Sequence, residues 1–76
     1  MDIRRQVGIN VRKVREELGL SQEGLAFDCG VHRTYISGVE RGIRNPTVVV
    51  LAKIAKALNV PAARLLDEPP RTRKAR

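Results

Sequence analysis

The sequence has little of what secreted domains, metal sites and membrane proteins need. It contains one cysteine, one histidine, one tyrosine, one phenylalanine and no tryptophan in 76 residues. A single cysteine excludes an intrachain disulfide and a multi-cysteine zinc site, and His32 has no second histidine to join it in a metal site. No apolar run is long enough to span a membrane, and no charged-then-apolar leader opens the chain. We therefore expect a soluble, cytoplasmic protein with no metal, no cofactor and no membrane association.

Basic residues are what the chain has in excess. Lysine and arginine number 15 against eight aspartates and glutamates, which gives a formal net charge of +7. Residues 1–66 hold eleven of the basic residues and six of the acidic ones, so the excess is not confined to the C-terminal tail. A basic domain favours a polyanionic partner such as nucleic acid. The length allows one domain, whose small core is only marginally stable without help such as a partner subunit.

Apolar residues recur at helical spacing along the start of the chain. Ile3, Val7, Val11, Val14 and Leu18 form a stripe that predicts a first helix, with Asp2 placed to cap it and Gly19 to end it. Gly8 inside this helix costs about 1 kcal/mol relative to alanine. A close contact with another helix would explain the glycine, but the sequence does not identify that helix.

Residues 21–41 have the pattern of two short helices joined by a three-residue turn. Ser21 is placed to cap a helix over Gln22–Cys29, and Gly30 suits the left-handed position that ends it. The next helix is predicted from about Arg33 to Arg41, with His32 in the cap position where a serine, threonine, aspartate or asparagine is usual. A small polar helix with an arginine near its N-terminus suits the major groove of DNA.

Two further helices are predicted after an Asn-Pro loop. Thr47 caps a fourth helix that runs to Leu58, although the run Val48–Val50 would by propensity suit a strand. Pro61 begins a short fifth helix that ends at Leu66. We therefore expect an all-α, five-helix domain over residues 1–66 and a basic, disordered tail over residues 67–76.

Polar residues around the two short helices are candidates for DNA contacts. Gln22 stands at a helix N-terminus, which can hold a phosphate, and Arg12 on the first helix is a second candidate for the DNA backbone. His32 is either a DNA contact or a poor cap. Tyr35 either packs against a base or a thymine methyl, or is a half-buried core ring with its hydroxyl in water. The loop offers three more candidates for the backbone on the far side of the groove, namely Arg41, Arg44 and Asn45.

The order of these residues resembles the Xre/Cro/lambda-repressor-type helix-turn-helix over about residues 3–66. The positions that carry the resemblance are Val7-Gly8, Val11-Arg12, Val14-Arg15, Gly19, Ser21-Gln22, Leu25-Ala26, Gly30-Val31, Ile36-Ser37, Glu40-Arg41-Gly42, Asn45-Pro46 and Leu58. More narrowly, the segment from Arg33 to Arg41 looks like the controller proteins of restriction–modification systems.

The resemblance implies a lambda-repressor-like domain that binds a two-fold, double-stranded DNA operator as a homodimer and regulates transcription, including that of its own gene. Bases would be read by Arg33, Thr34, Tyr35 and Ser37. Phosphates would be bound by Gln22, Arg44 and Asn45, to which the residues alone add Arg12, His32 and Arg41. The dimer would form through the last two helices, with Val49, Val60, Ala63, Leu65 and Leu66. No small-molecule effector is evident.

Two residues depart from the family pattern. His32 replaces the usual serine-like cap of the recognition helix. Val49 replaces an acidic residue common near the start of the fourth helix and adds apolar surface that favours a partner.

Three other classes of function stay open on the residues alone. An antitoxin-type module would use Val48–Val50 and Leu65-Leu66 to hold a partner protein. An enzyme is disfavoured because one histidine, one cysteine and no suggestive carboxylate pair supply no nucleophile–base pair, so we assign no catalytic residue. RNA binding is disfavoured because only Tyr35 and Phe27 are aromatic.

Overall fold

The computed structural model describes residues 2–68, which form an all-helical domain. Helix α1 spans Ile3–Glu17, α2 spans Gln22–Cys29, α3 spans Arg33–Glu40 and α4 spans Val48–Ala57, and a 3-10 turn follows over Ala62–Leu66. No residue in this described range belongs to a strand, and none of its helices is long and apolar enough to cross a membrane. The predicted basic tail lies outside the described residues from residue 69 onward.

Side-chain caps begin three of the four helices. Asp2, Ser21 and Thr47 each accept a hydrogen bond from a backbone N–H of the following turn, at 2.8, 2.9 and 3.1 Å. These predicted caps are confirmed, and the Thr47 cap helps to explain why the valine run is helical in spite of its strand propensity. His32 begins α3 without a side-chain cap bond.

The core lies between the helices that contact one another. Helix α3 packs against α1 and α2, α4 packs against α2, and the 3-10 turn packs against α1 and α4. The largest fully buried side chains are Leu25, Ile36, Ile54, Leu58 and Leu65. The predicted stripe on α1 is confirmed only in its middle, since Val7, Val11 and Val14 are buried while Ile3 and Leu18 are more than half exposed.

The fifth element is not the helix that the sequence predicts. Ala62–Leu66 is a five-residue 3-10 turn, and a segment this short is not stable as an isolated α-helix. Side chains of α1 bind its carbonyl groups. Asn10 Nδ2 donates to the carbonyl oxygens of Leu65 and Asp67 at 2.9 and 2.7 Å, and Gln6 Nε2 donates to that of Leu66 at 2.6 Å. The turn is thus held by α1.

The position of Leu65 corrects one of the dimer residues predicted above. Its side chain is 0% exposed and belongs to the domain core. A side chain with no accessible surface has none to bury against a second subunit, so the assignment of Leu65 to a dimer interface was wrong. Its neighbour Leu66 is partly exposed.

Gly8 allows α1 to approach the C-terminal end of α3. A Cβ atom placed on Gly8 would lie 2.6 Å from the Glu40 carbonyl oxygen and closer still to that of Val39. Both obstacles are backbone atoms, which cannot rotate away as a flexible side chain can. The glycine predicted to mark a close helix contact therefore does so, and the unidentified helix is α3.

We expect Gly8→Ala to lower the free energy of unfolding by about 1–3 kcal/mol, the usual cost of overpacking, because the added methyl must push α3 away from α1. Without that contact, the same change would stabilise α1 by about 1 kcal/mol. Urea denaturation followed by circular dichroism measures the difference.

Gly24→Ala is the matched control, because the new Cβ would meet only side-chain atoms of Leu20 and Ser21, at 3.1 and 3.2 Å. It should cost less than Gly8→Ala. Wild-type stability in the Gly8→Ala variant would contradict the packing described here.

Candidate nucleic-acid interface

Helices α2 and α3 are joined by the three-residue turn that the sequence predicts. Gly30 ends α2 with φ +72°, in the left-handed region, and the Val31 N–H donates to the Ala26 carbonyl at 3.0 Å. His32 is extended and begins α3. The two helices are joined by core contacts, because Leu25 and Ile36 are both fully buried.

Helix α3 has one buried face and one accessible face. Ile36, Gly38 and Val39 are buried. The four residues predicted to read bases all retain accessible surface: Arg33 and Thr34 are exposed, and Tyr35 and Ser37 are half-buried. Tyr35 also packs against the core cluster, so both of the roles considered for it are compatible with its position. Base contact by these four residues stays a prediction.

The loop after α3 folds back over that helix. The backbone N–H groups of Ile43 and Arg44 both donate to the Gly38 carbonyl, at 2.9 and 3.2 Å. The Arg44 guanidinium carbon lies 5.7 Å from the centre of the Tyr35 ring, within the range of a cation–π contact. Arg44 therefore belongs to the same surface as α3.

The residues predicted to bind phosphate fall into two groups. His32, Arg41, Arg44 and Asn45 are exposed around α3 and its loop. Arg12 lies on α1, where its Nε is 3.0 Å from Glu16 Oε2. Gln22 is half-buried, and its Nε2 donates to Glu40 Oε1 at 3.0 Å. Gln22 thus has a partner inside the protein, which the sequence did not identify. Phosphate contact by either group stays a prediction.

A buried ion pair supports this surface from behind. Arg15 Nε lies 2.6 Å from Glu40 Oε2 and Arg15 Nη2 lies 3.1 Å from Glu40 Oε1, and the two side chains are only 11% and 4% exposed. Arg15 Nη1 also donates to the Leu20 carbonyl at 2.8 Å. The hydrogen bonds to Glu40 raise the pKa of Arg15 above its usual value. Local spacing in the sequence could not identify this pair, because Arg15 and Glu40 are 25 positions apart.

An accessible polar helix, fixed on its buried face by a preceding helix and turn, is the arrangement with which helix-turn-helix proteins enter the major groove. Exposed arginines on the adjoining loop suit the phosphate backbone. The fold and this surface therefore define a helix-turn-helix DNA-binding protein of transcription regulation.

The chain belongs to the helix-turn-helix family HTH_3, whose sequence profile matches residues 11–65. It is 49% identical over 67 residues to the control protein C.BamHI of Bacillus amyloliquefaciens, a match that covers 87% of this chain and 83% of that protein.

Two solved structures are also similar to this chain. The restriction–modification controller protein C.AhdI of Aeromonas hydrophila has a TM-score of 0.79 and 44% identity, over 82% of this chain and 94% of that one. The hypothetical transcription factor NHTF from Neisseria has a TM-score of 0.86 and 44% identity, over 90% of this chain and 78% of that one. The resemblance to the Xre-type family and its controller proteins is thus confirmed.

We expect Glu40→Ala to lower the free energy of unfolding by roughly 3–5 kcal/mol, because breaking a buried pair leaves the Arg15 charge without its partner. Chemical denaturation in urea would measure the loss. Glu16→Ala is the comparison: it removes the exposed partner of Arg12 and a longer, 3.9 Å contact to Arg15, and surface pairs contribute about 0–1 kcal/mol. Equal losses of unfolding free energy in the two variants would show that the buried Arg15–Glu40 pair contributes no more to stability than a surface pair.

Proposed function

We propose that this protein is a homodimeric, sequence-specific transcription regulator that acts in the cytoplasm on a two-fold operator and controls a restriction–modification operon, including its own gene. The observation that carries the proposal is the accessible face of α3, where Arg33 and Thr34 are exposed while Ile36 and Val39 anchor the opposite face. The likeness to a restriction–modification controller protein supports the choice of operon.

Binding would combine a general electrostatic attraction with a specific reading of bases. Cationic side chains displace counterions from the phosphates, so affinity falls as salt rises. The phosphate contacts would come from Arg12, Gln22, His32, Arg41, Arg44 and Asn45. Arg33 would bind a guanine edge with two hydrogen bonds, which is worth about 1–3 kcal/mol of discrimination, with Thr34, Tyr35 and Ser37 reading neighbouring bases.

A homodimer would cover apolar surface that the single domain leaves exposed. Val48 and Val49 at the start of α4 are exposed, as are parts of Ile3 and Leu66, and Ile3, Val48 and Leu66 line one cleft. Of the other predicted interface residues, Ala63 is exposed and Val60 is half-buried. Two subunits joined here would have to place their α3 helices roughly 34–36 Å apart to read half-sites one helical turn apart.

A protein-interaction module is the second candidate function. Phe27 on α2 is 86% exposed, and an aromatic side chain this accessible favours contact with another protein. A second protein that co-purifies with the wild-type chain, and is lost from the Phe27→Asp variant, would support this candidate.

The proposed function is tested by gel-shift titration of DNA from immediately upstream of the gene against random DNA of equal length, at two salt concentrations. We expect the upstream fragment to bind more tightly, because only an operator would present a guanine to Arg33 in both half-sites, at the spacing set by the two subunits. Equal binding to both fragments would overturn sequence-specific autoregulation, and no binding at either salt would favour the protein-interaction module.

In the same titration, Arg33→Ala should weaken binding to the upstream fragment by about 1–3 kcal/mol while leaving random DNA nearly unchanged. Arg41→Ala is the matched control at an expected phosphate contact. It should weaken both fragments alike and lower the salt dependence by about one charge per subunit. Equal losses on both fragments for Arg33→Ala would contradict the base-reading role.

We expect Val49→Asp to shift the protein from dimer to monomer and to weaken operator binding at least tenfold, because a carboxylate buried in an apolar interface loses its hydration. The fold itself should persist, since Val49 is exposed in the single domain. Sedimentation velocity measures the mass and gel shift measures the affinity.

Phe27→Asp is the control for the Val49→Asp experiment. It makes the same chemical change at an exposed apolar position on a different helix and should leave the dimer intact. A Val49→Asp protein that still sediments as a dimer would place the interface elsewhere.

A further inference from the structure

The side chain of Arg44 passes over α3 at Gly38, which has no side chain of its own. A Cβ atom placed on Gly38 would lie 2.6 Å from Arg44 Cγ, 3.4 Å from its Nε and 3.5 Å from its Cδ. These three Arg44 atoms are the nearest obstacles to the added carbon. The space that a side chain at position 38 would need is therefore occupied by the Arg44 side chain.

The crossing brings the Arg44 guanidinium to Tyr35. Residues 35 and 38 are neighbours on one face of α3, because they lie three positions apart. An arginine stem that passes over position 38 can therefore reach the ring at position 35, where the guanidinium carbon lies 5.7 Å from the ring centre. The backbone N–H groups of Ile43 and Arg44, at the base of this side chain, both donate to the Gly38 carbonyl. The loop and α3 are thus joined by backbone and side chain at the same residue.

Gly38 is otherwise a poor residue for its position. Glycine is among the least favourable residues in a helix interior, and α3 has only eight residues. An alanine would favour the helix but occupy the space that the Arg44 stem uses. The glycine is explained if the position of Arg44 matters more than the helix propensity of α3.

We propose that Gly38 is a positioning residue for operator recognition, and that Arg44, held across it, determines specificity by fixing the ring of Tyr35. This inference rests on the proposed DNA-binding function and deepens it. A tyrosine ring held in one orientation before binding loses less side-chain entropy when it meets a base. Arg44 then contributes to the choice of base as well as to phosphate binding. Lysine keeps the charge but has no planar guanidinium to lie on the ring.

The geometry is tested first in the free protein. Tyr35 is the only tyrosine and the chain has no tryptophan, so the intrinsic tyrosine fluorescence reports this one ring. Gly38→Ala and Arg44→Ala should both increase quenching of the emission by neutral acrylamide, and the double variant should match Arg44→Ala. Arg64→Lys is the control and should leave the quenching unchanged. Wild-type quenching in both single variants would overturn the proposed contact.

Specificity is tested with Arg44→Lys, an exposed and conservative change whose fold is checked by circular dichroism. It should lower the ratio of upstream to random DNA affinity measurably but by no more than roughly two- to fivefold, the range of a whole exposed cation–π contact, with an unchanged salt dependence. The drop should vanish in a Tyr35→Ala background, because the arginine then has no ring to hold. Arg64→Lys should leave the ratio unchanged.

The two possible failures are distinguishable. If the wild-type protein discriminates between the DNAs and Arg44→Lys discriminates equally well, the inference is overturned and the proposed function stands. The same holds if the drop persists without Tyr35, since Arg44 would then act independently of the ring. If the wild-type protein does not discriminate at all, the proposed function fails and the specificity role of Gly38 fails with it.

Discussion

The contact between Arg15 and Glu40 is the constraint on which the rest of the interface depends. It joins the last turn of α1 to the last residue of α3 through two short contacts, and the same guanidinium binds the Leu20 carbonyl just before α2. Glu40 in turn accepts from Gln22 in the first turn of α2. One buried carboxylate therefore sets three helices relative to one another. The presence of a buried ion pair does not by itself show that the pair stabilises the fold. The role of this pair is to orient α2 and α3.

This support matters because α3 is too short to be stable alone. Isolated helices of fewer than about 12 residues are marginal in water, and α3 has eight residues, a glycine in its interior and no side-chain cap. Its helical state comes from its surroundings. Ile36 and Val39 are buried in the core, Gly8 lets α1 pack against its end, and the loop binds the Gly38 carbonyl. Helix α3 is thus stabilised by tertiary contacts rather than by its own propensity.

Features that depend on neighbouring residues could be predicted from the sequence, whereas features that depend on residues far apart in the sequence could not. Caps and helix ends depend on neighbouring residues, so Asp2, Ser21, Gly30 and Thr47 were all identified correctly. The fifth element is a 3-10 turn where a helix was expected, and the side chains that bind its carbonyl groups, Gln6 and Asn10, are more than 50 positions away in the sequence. Leu65 was assigned to the dimer interface because the pattern of so short an element does not show whether an apolar residue faces the core or a partner. The partners of Glu40 and Gly38 were missed for the same reason, since both contacts form only when separate elements meet.

The same separation divides the residues around α3 into two sets. The residues that hold α3 in place, such as Arg15, Ile36 and Glu40, point inward, whereas Arg33 and Thr34 point outward and have no part in the core. Outward residues can therefore change with little effect on stability. Tyr35 is the exception, because it packs partly on the core and carries Arg44 on its ring. A change at position 35 would therefore affect the core and the accessible surface of α3 together, so its effects on stability and on surface contacts are the hardest to separate.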